Sequence, residues 1–113
     1  MKPYIDNDHV IIGETKLSKS GHLPKQIIES EKTVLVLFRK ASNAALTDNR
    51  NVFAFDLNGK SLWQIDEATH GGGACPFVDL TREKDEVIGY NWNGIAYKID
   101  VSTGAISPSR LTK

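Results

Sequence analysis

The sequence has 113 residues, a length typical of one domain, and a chain of that size can bury roughly two-thirds of its unfolded surface without help from disulfides or metal. Hydrophobic residues make up 40 % and charged residues 25 %, the balance of a globular protein and not of a disordered one. The 14 Lys and Arg residues cancel the 14 Asp and Glu residues, which argues against a dedicated nucleic-acid binder, because such proteins carry a basic excess or stripe.

Taken in chain order, the opening MKPYIDNDHV has no apolar run after Lys2, so no signal peptide is expected. In residues 1–24, Val10, Ile11 and Ile12 form a short candidate strand, and residues 17–24 (LSKSGHLP) read as a loop rich in turn formers. Residues 26–29 are predicted as a strand, 30–32 as a tight polar turn, and 33–39 (TVLVLFR) as a strand. The last is β-branched and almost wholly apolar, the mark of a central strand covered on both faces. Its apolar core, residues 34–38, is far too short to span a bilayer, which takes about 20 residues as a helix. Residues 41–50 form a loop with room for one helical turn.

Residues 51–65 (NVFAFDLNGKSLWQI) are a β-hairpin whose turn admits two registers. A type I′ turn at Asn58 and Gly59 pairs Phe53 with Gln64 and Phe55 with Leu62. A type I turn with a Gly59 bulge pairs Phe53 with Trp63 and Asp56 with Lys60. The second is preferred, because it gathers Phe53, Phe55, Trp63 and Ile65 on one side and sets opposite charges together. Residues 66–76 (DEATHGGGACP) form a Gly-rich loop, and residues 77–80 and 86–91 are strands about a charged turn at 81–85. A type I′ turn at Asn93 and Gly94 then pairs Tyr90 with Tyr97 and Ile88 with Ile99, which puts Ile88, Tyr90, Trp92, Ile95, Tyr97 and Ile99 on the core face and Val87, Gly89, Asn91, Ala96, Lys98 and Asp100 on a face turned mostly to solvent. A short strand at 105–107 ends at Pro108. The expected fold is all-β: one domain over residues 1–113, an antiparallel meander of eight or nine short strands, arranged as two packed sheets or a rolled sheet.

Two segments echo each other. Phe53, Phe55, Asp56 and Gly59 correspond to Tyr97, Ile99, Asp100 and Gly104. Each is an alternating strand ending in an Asp that accepts turn amides, followed by a Gly that supplies positive φ. With Thr103 the second copy resembles the Y-x-x-D-x-x-T-G element of quinoprotein-type β-propeller blades, and Trp63 resembles the tryptophan that follows such a turn. Propellers need at least four blades, so a closed propeller is excluded for one chain and two stacked blade-like sheets remain. Residues 51–56 (NVFAFD) and 90–94 (YNWNG) resemble segments of small bacterial β proteins, some of them similar to immunity proteins of contact-dependent growth inhibition toxins. That resemblance implies a cytoplasmic inhibitor that occludes the active site of a toxin domain in a heterodimer. It transfers no binding residue.

Catalytic motifs are weak by comparison. His70 with Gly71, Gly72 and Gly73 matches the HGGG loop of esterases, but the G-x-S-x-G nucleophile elbow that such chemistry requires is absent from the sequence. His70 and Cys75 lack a third orienting residue, and Asp66, His70 and Cys75 lack the paired short spacings of metal sites. The single cysteine cannot form an internal disulfide, which fits a reducing compartment. The reading is therefore a cytoplasmic binding protein, not an enzyme, with no cofactor, metal, nucleic acid or membrane partner. Its candidate protein-binding residues are Asp66, Glu67 and His70 on the Gly-rich loop and Asn91, Trp92 and Asn93 at the hairpin tip. If the toxin is a nuclease, the carboxylates would face its basic residues, although the neutral net charge weighs against that partner. A small-molecule or glycan binding module using Trp and Asn is the alternative.

Overall fold

In the computed structural model, which describes residues 2–41, 48–68 and 74–109, the alternating patterns become three antiparallel sheets. Each is an uninterrupted meander. The first sheet holds β1 (Tyr4–Asp6), β2 (His9–Ile12) and β3 (Thr15–Leu17). The middle sheet holds β4 (His22–Ser30), β5 (Thr33–Lys40), β6 (Val52–Phe55) and β7 (Ser61–Gln64), in that order. The last holds β8 (Phe77–Glu83), β9 (Glu86–Asn91), β10 (Ala96–Ile99) and β11 (Ile106–Pro108). The described residues thus form eleven strands and no helix, and none of their elements is a helix long and apolar enough to cross a membrane. Among the described residues no sheet closes into a barrel. The all-β meander stands as expected, while the strand count rises because β1 and β3 flank the one strand legible near the N-terminus. The radius of gyration, 13.4 Å, matches the value of about 13 Å for a compact chain of this length.

The middle sheet is the centre of the protein. On one face Leu35, Leu37, Val52 and Ile65 pack against Phe77, Leu80, Val87, Tyr97 and Ile99 of the last sheet. On the other, Val34, Val36, Phe38 and Phe55 pack against Val10 and Ile12 of the first. Every residue from 34 to 38 is at most 2 % exposed, which is why β5 reads as continuous apolar sequence. At about 1.5–3 kcal/mol for each fully buried aliphatic or aromatic side chain, this double-sided strand is the largest local source of stability. β4 begins earlier than the turn-rich sequence suggests. Pro24 is accommodated by a register shift between Pro24 and Gln26, the kind of irregularity at which a strand tolerates proline.

Both hairpin registers differ from expectation by one residue, each for its own reason. In the first, Asp56 receives the Gly59 amide and donates its own to Lys60, so the turn is the type I form with Gly59 at φ +85°. The ladder then shifts between Ala54 and Phe55, which leaves Phe53 opposite Gln64 and Ala54 opposite Trp63. The predicted pairing is therefore correct at the turn and wrong beyond it. Since a one-residue slip inverts the faces, Phe53 and Phe55 face the first sheet while Trp63 and Ile65 face the last. In the second hairpin Asn91 donates to Ile95 and Gly94 donates to Asn91, again a type I turn with Gly94 at φ +87°. A type I′ turn would need positive φ at Asn93 as well, and Asn93 does not have it. Consequently Tyr97 pairs with Gly89 and Ile99 with Val87, and Val87, expected on the solvent side, enters the core.

Asx side chains select these turns. Asp56 Oδ1 accepts the amides of Asn58 at 2.8 Å and Lys60 at 2.9 Å, Asn91 Oδ1 accepts that of Asn93 at 3.0 Å, and Asp100 Oδ1 accepts that of Ser102 at 2.9 Å. The backbone donors of Lys60 and Asn58 hold the Asp56 carboxyl below its ordinary pKa. A group whose folded pKa is depressed stabilises the fold above its unfolded pKa, and that contribution disappears as pH falls through the folded value. Asp56→Asn should therefore be less stable than wild type near neutral pH, with the difference vanishing in acid, as measured by urea unfolding across pH.

The sheets are joined by side-chain amides that complete the ladder of β8. Asn51, 2 % exposed, donates to the carbonyls of Phe38 at 2.7 Å and Phe77 at 2.8 Å and accepts the Phe77 amide at 2.8 Å. Gln26 accepts the Leu80 amide at 2.9 Å and donates to its carbonyl at 3.0 Å, and Lys25 donates to the Val78 carbonyl. Each bridge covers an edge that would otherwise bury unpaired groups. Asn51→Ala should leave three buried backbone groups without this partner, at about 1–3 kcal/mol each. A loss of about 3 kcal/mol or more is expected in urea unfolding, against almost none for Asn58→Ala on the exposed turn.

Candidate binding site

Residues 66–76 and the β9–β10 tip, which sequence reasoning singled out separately, are joined by hydrogen bonds through Cys75 and Pro76. Asn91 Nδ2 donates to the Cys75 carbonyl at 2.8 Å, and the Trp92 amide donates to the Pro76 carbonyl at 2.9 Å. On the other side Asn49 Oδ1 accepts the Cys75 amide at 2.8 Å while its Nδ2 donates to Glu67 Oε2 at 3.0 Å. A continuous path therefore runs from Glu67 through Asn49 and Cys75 to Asn91 and the tip. Asp66 belongs elsewhere. Its amide donates to the Gly104 carbonyl at 3.0 Å, beside the β10–β11 turn at the far end of strand β10. His70 lies outside the described residues.

The tip itself divides into braces and surface. Asn91 is 4 % exposed and its amide is engaged on both sides, so its side chain supports the tip from within, contrary to its expected place among the contact residues. The half-buried Asn93 donates to the Tyr97 hydroxyl at 3.1 Å and accepts the Ile95 amide at 2.8 Å. Trp92, by contrast, is 71 % exposed and Ile95 42 %. An indole held open by a hydrogen-bonded turn is unlike the packed aromatics of the core, where Phe77 meets Tyr97 edge to face at 5.9 Å. Asn49 and Ile95 were missed by sequence reasoning. Asn49 sits in a polar loop with nothing to distinguish it, and Ile95 was assigned to the core by the wrong register.

Cys75 is buried. Its Sγ donates to the Ala68 carbonyl at 3.7 Å, and its pKa is raised, chiefly by burial and secondarily by the Glu67 charge. A protonated thiol is a poor nucleophile, so this side chain fills space where the two segments meet. Among the described residues no group of three or more His, Cys, Asp or Glu is placed to hold a metal ion. A cleft of about 510 Å³ lies at the opposite end of the β9–β10 hairpin from Trp92, where Lys98 binds Glu86 at 2.6 Å.

This sequence is matched over residues 2–111 by the family described as a domain of unknown function, DUF7957. The chain belongs to that family. Neither a curated protein nor a solved structure matches it. The DUF7957 match covers all three sheets, so the braced tip is part of the family's own fold and not an appendage to it.

Burial of Cys75 has a direct consequence. Native protein should react with a thiol reagent far more slowly than denatured protein, with the rate rising only at a pH above that of a free cysteine. Time-resolved labelling followed by mass spectrometry measures both.

Proposed function

We propose that this DUF7957 chain is a protein-binding inhibitor that neutralises a toxin domain, with the tip carrying Trp92 and Ile95 as its contact face. The observation that carries the reading is the exposed Trp92 on a turn fixed from within by Asn91 and from below by Pro76. Tryptophan dominates binding energy where it anchors an interface, and a contact that is rigid before binding loses little entropy on association. Ile95 adds exposed apolar surface, and the exposed Glu67 carboxylate at the start of the braced path supplies acidic character. A toxin whose active site is basic, as a nuclease's is, would be steered toward such a face. The likeness of residues 51–56 and 90–94 to immunity proteins of contact-dependent growth inhibition systems supports the choice of partner. Binding over an active site requires no catalysis by the inhibitor.

Co-expression with the product of the gene immediately upstream tests the proposal through co-purification and rescue of growth. Trp92→Ala should weaken the complex at least about 30-fold, corresponding to a hot-spot loss of about 2 kcal/mol or more, with the melting temperature unchanged. A harmless upstream product that forms no complex would overturn the reading. Saturable binding to sugars without a protein partner would transfer the same tip to the glycan-module alternative.

A further inference from the structure

A second site lies on the opposite face of the middle sheet from the last sheet. Phe38, Phe53 and Phe55, on neighbouring strands β5 and β6, line an open pocket of about 280 Å³ with Leu17 and Ser61. Phe38 and Phe53 meet edge to face, with ring centroids 5.7 Å apart and an interplanar angle of 85°. Lys19, which follows β3, also lines the pocket, and its ammonium stands 5.2 Å from the Phe53 ring centroid. Asp48 holds that ammonium at 3.0 Å. The combination of an aromatic wall and a few polar groups, Ser18, Ser61 and the fixed ammonium of Lys19, is the usual composition of a small-ligand site, and the volume sits just below the range of about 300–1,000 Å³ that drug-sized ligands occupy.

The chemistry of the rim narrows the ligand. An ammonium has three protons to donate. One carboxylate does not exhaust them, so Lys19 can donate to a ligand oxygen at the edge of the rings. Because Asp48 already balances its charge, an anionic ligand would have to compete with a carboxylate fixed in place, whereas a neutral acceptor would not. A third ring can join the Phe38 and Phe53 pair in the same edge-to-face manner, which aromatic rings prefer to sandwich stacking. We propose that this pocket binds a small neutral aromatic molecule with one ring and an oxygen acceptor, a simple phenol, and that Lys19 recognises the oxygen. The site is separate from the Trp92 tip and does not depend on the inhibitor reading.

The probes are p-cresol, toluene and hexanoate, titrated into uniformly labelled full-length protein and followed by two-dimensional NMR. Saturable shifts at Phe53, Leu17 and Ser61 are expected with p-cresol, weaker ones with toluene, and none that saturate with hexanoate. Ser61→Trp fills the pocket from an exposed strand position and should abolish the p-cresol shifts while the rest of the spectrum keeps its dispersion. Lys19→Met retains the stem but removes the ammonium, and should reduce p-cresol binding to the level of toluene. If Ser61→Trp fails to fold, the Lys19→Met comparison decides alone. The proposal is overturned by p-cresol shifts that never saturate, by saturable binding that either variant leaves intact, or by hexanoate binding more tightly than p-cresol.

Discussion

The side chain of Asn51 is the constraint on which the arrangement of the sheets depends. It is a buried amide at the start of β6 that answers both the amide and the carbonyl of Phe77, and also the carbonyl of Phe38. A buried polar group is tolerated only when its hydrogen-bonding capacity is used, and here that requirement fixes the end of β5 relative to the start of β8. Apolar packing alone could not do this, because Leu35 or Phe77 gains as much from any close-packed arrangement. The amide makes one alignment satisfied and its alternatives unsatisfied. Gln26 repeats the device further along β8 with both groups of Leu80. Between them lies Lys25, bonded to Val78, so an edge strand that could template aggregation is sealed by three side chains of the middle sheet.

Successive sheets are docked by a repeated arrangement. Gly59, at the β6–β7 turn, has Thr15 of β3 so close that an added Cβ would lie 2.6 Å from the Thr15 Cβ, and Thr15 Oγ1 donates to the Asn58 carbonyl at 2.7 Å. Gly104, at the β10–β11 turn, is covered in the same way by Trp63 of β7. An added Cβ would approach its ring within 2.5 Å, and the indole N–H donates to the Val101 carbonyl at 2.8 Å. In each case the last strand of one sheet sends a donor side chain onto the last turn of the next. The glycine is required twice over, by a positive φ of +85° or +83° and by the neighbour occupying the space of a side chain. The internal echo between these turns thus has a physical basis in docking, and the two four-stranded meanders stack as blade-like sheets without closing a ring.

Period-two alternation and Gly-containing turns made the eight longer strands legible, together with β11, which a Gly turn opens and a proline closes, and the unbroken apolar run of β5 announced burial on both faces. The strands β1 and β3 were not legible, because three-residue segments beside polar turns are too short to show a period. Register failed for a different reason. Asn58 followed by Gly59, and Asn93 followed by Gly94, favour a two-residue type I′ turn by local propensity. Asp56 and Asn91, two residues earlier, instead bind the turn amides and favour type I with the glycine as a bulge. At the first turn the competition was recognised and resolved correctly, but the second shift between Ala54 and Phe55 leaves no sequence signal of its own. Of the candidate site, Trp92 and Glu67 were readable from residue type and loop position. Asn49 was not, since its role arises from contacts 18 and 26 residues away in sequence.

The register of the second hairpin carries the link from fold to site. Had the type I′ turn formed, Tyr90 would oppose Tyr97, and the side chains of Ile88 and Tyr90 would share the face of Tyr97 and Ile99. The observed turn moves β9 by one residue against β10, so that Val87 and Gly89 share the core face with Tyr97 and Ile99. Asn91, the next residue on that face, is drawn inward to the Cys75 carbonyl. Trp92 is then the first residue of the turn with no place in either core, and its backbone amide is held by Pro76 while its indole faces water. The exposure of the indole and the rigidity of its support have the same cause. An asparagine that selects the turn also braces it, so the hydrogen bonds that order the tip do not consume the surface that the tip presents.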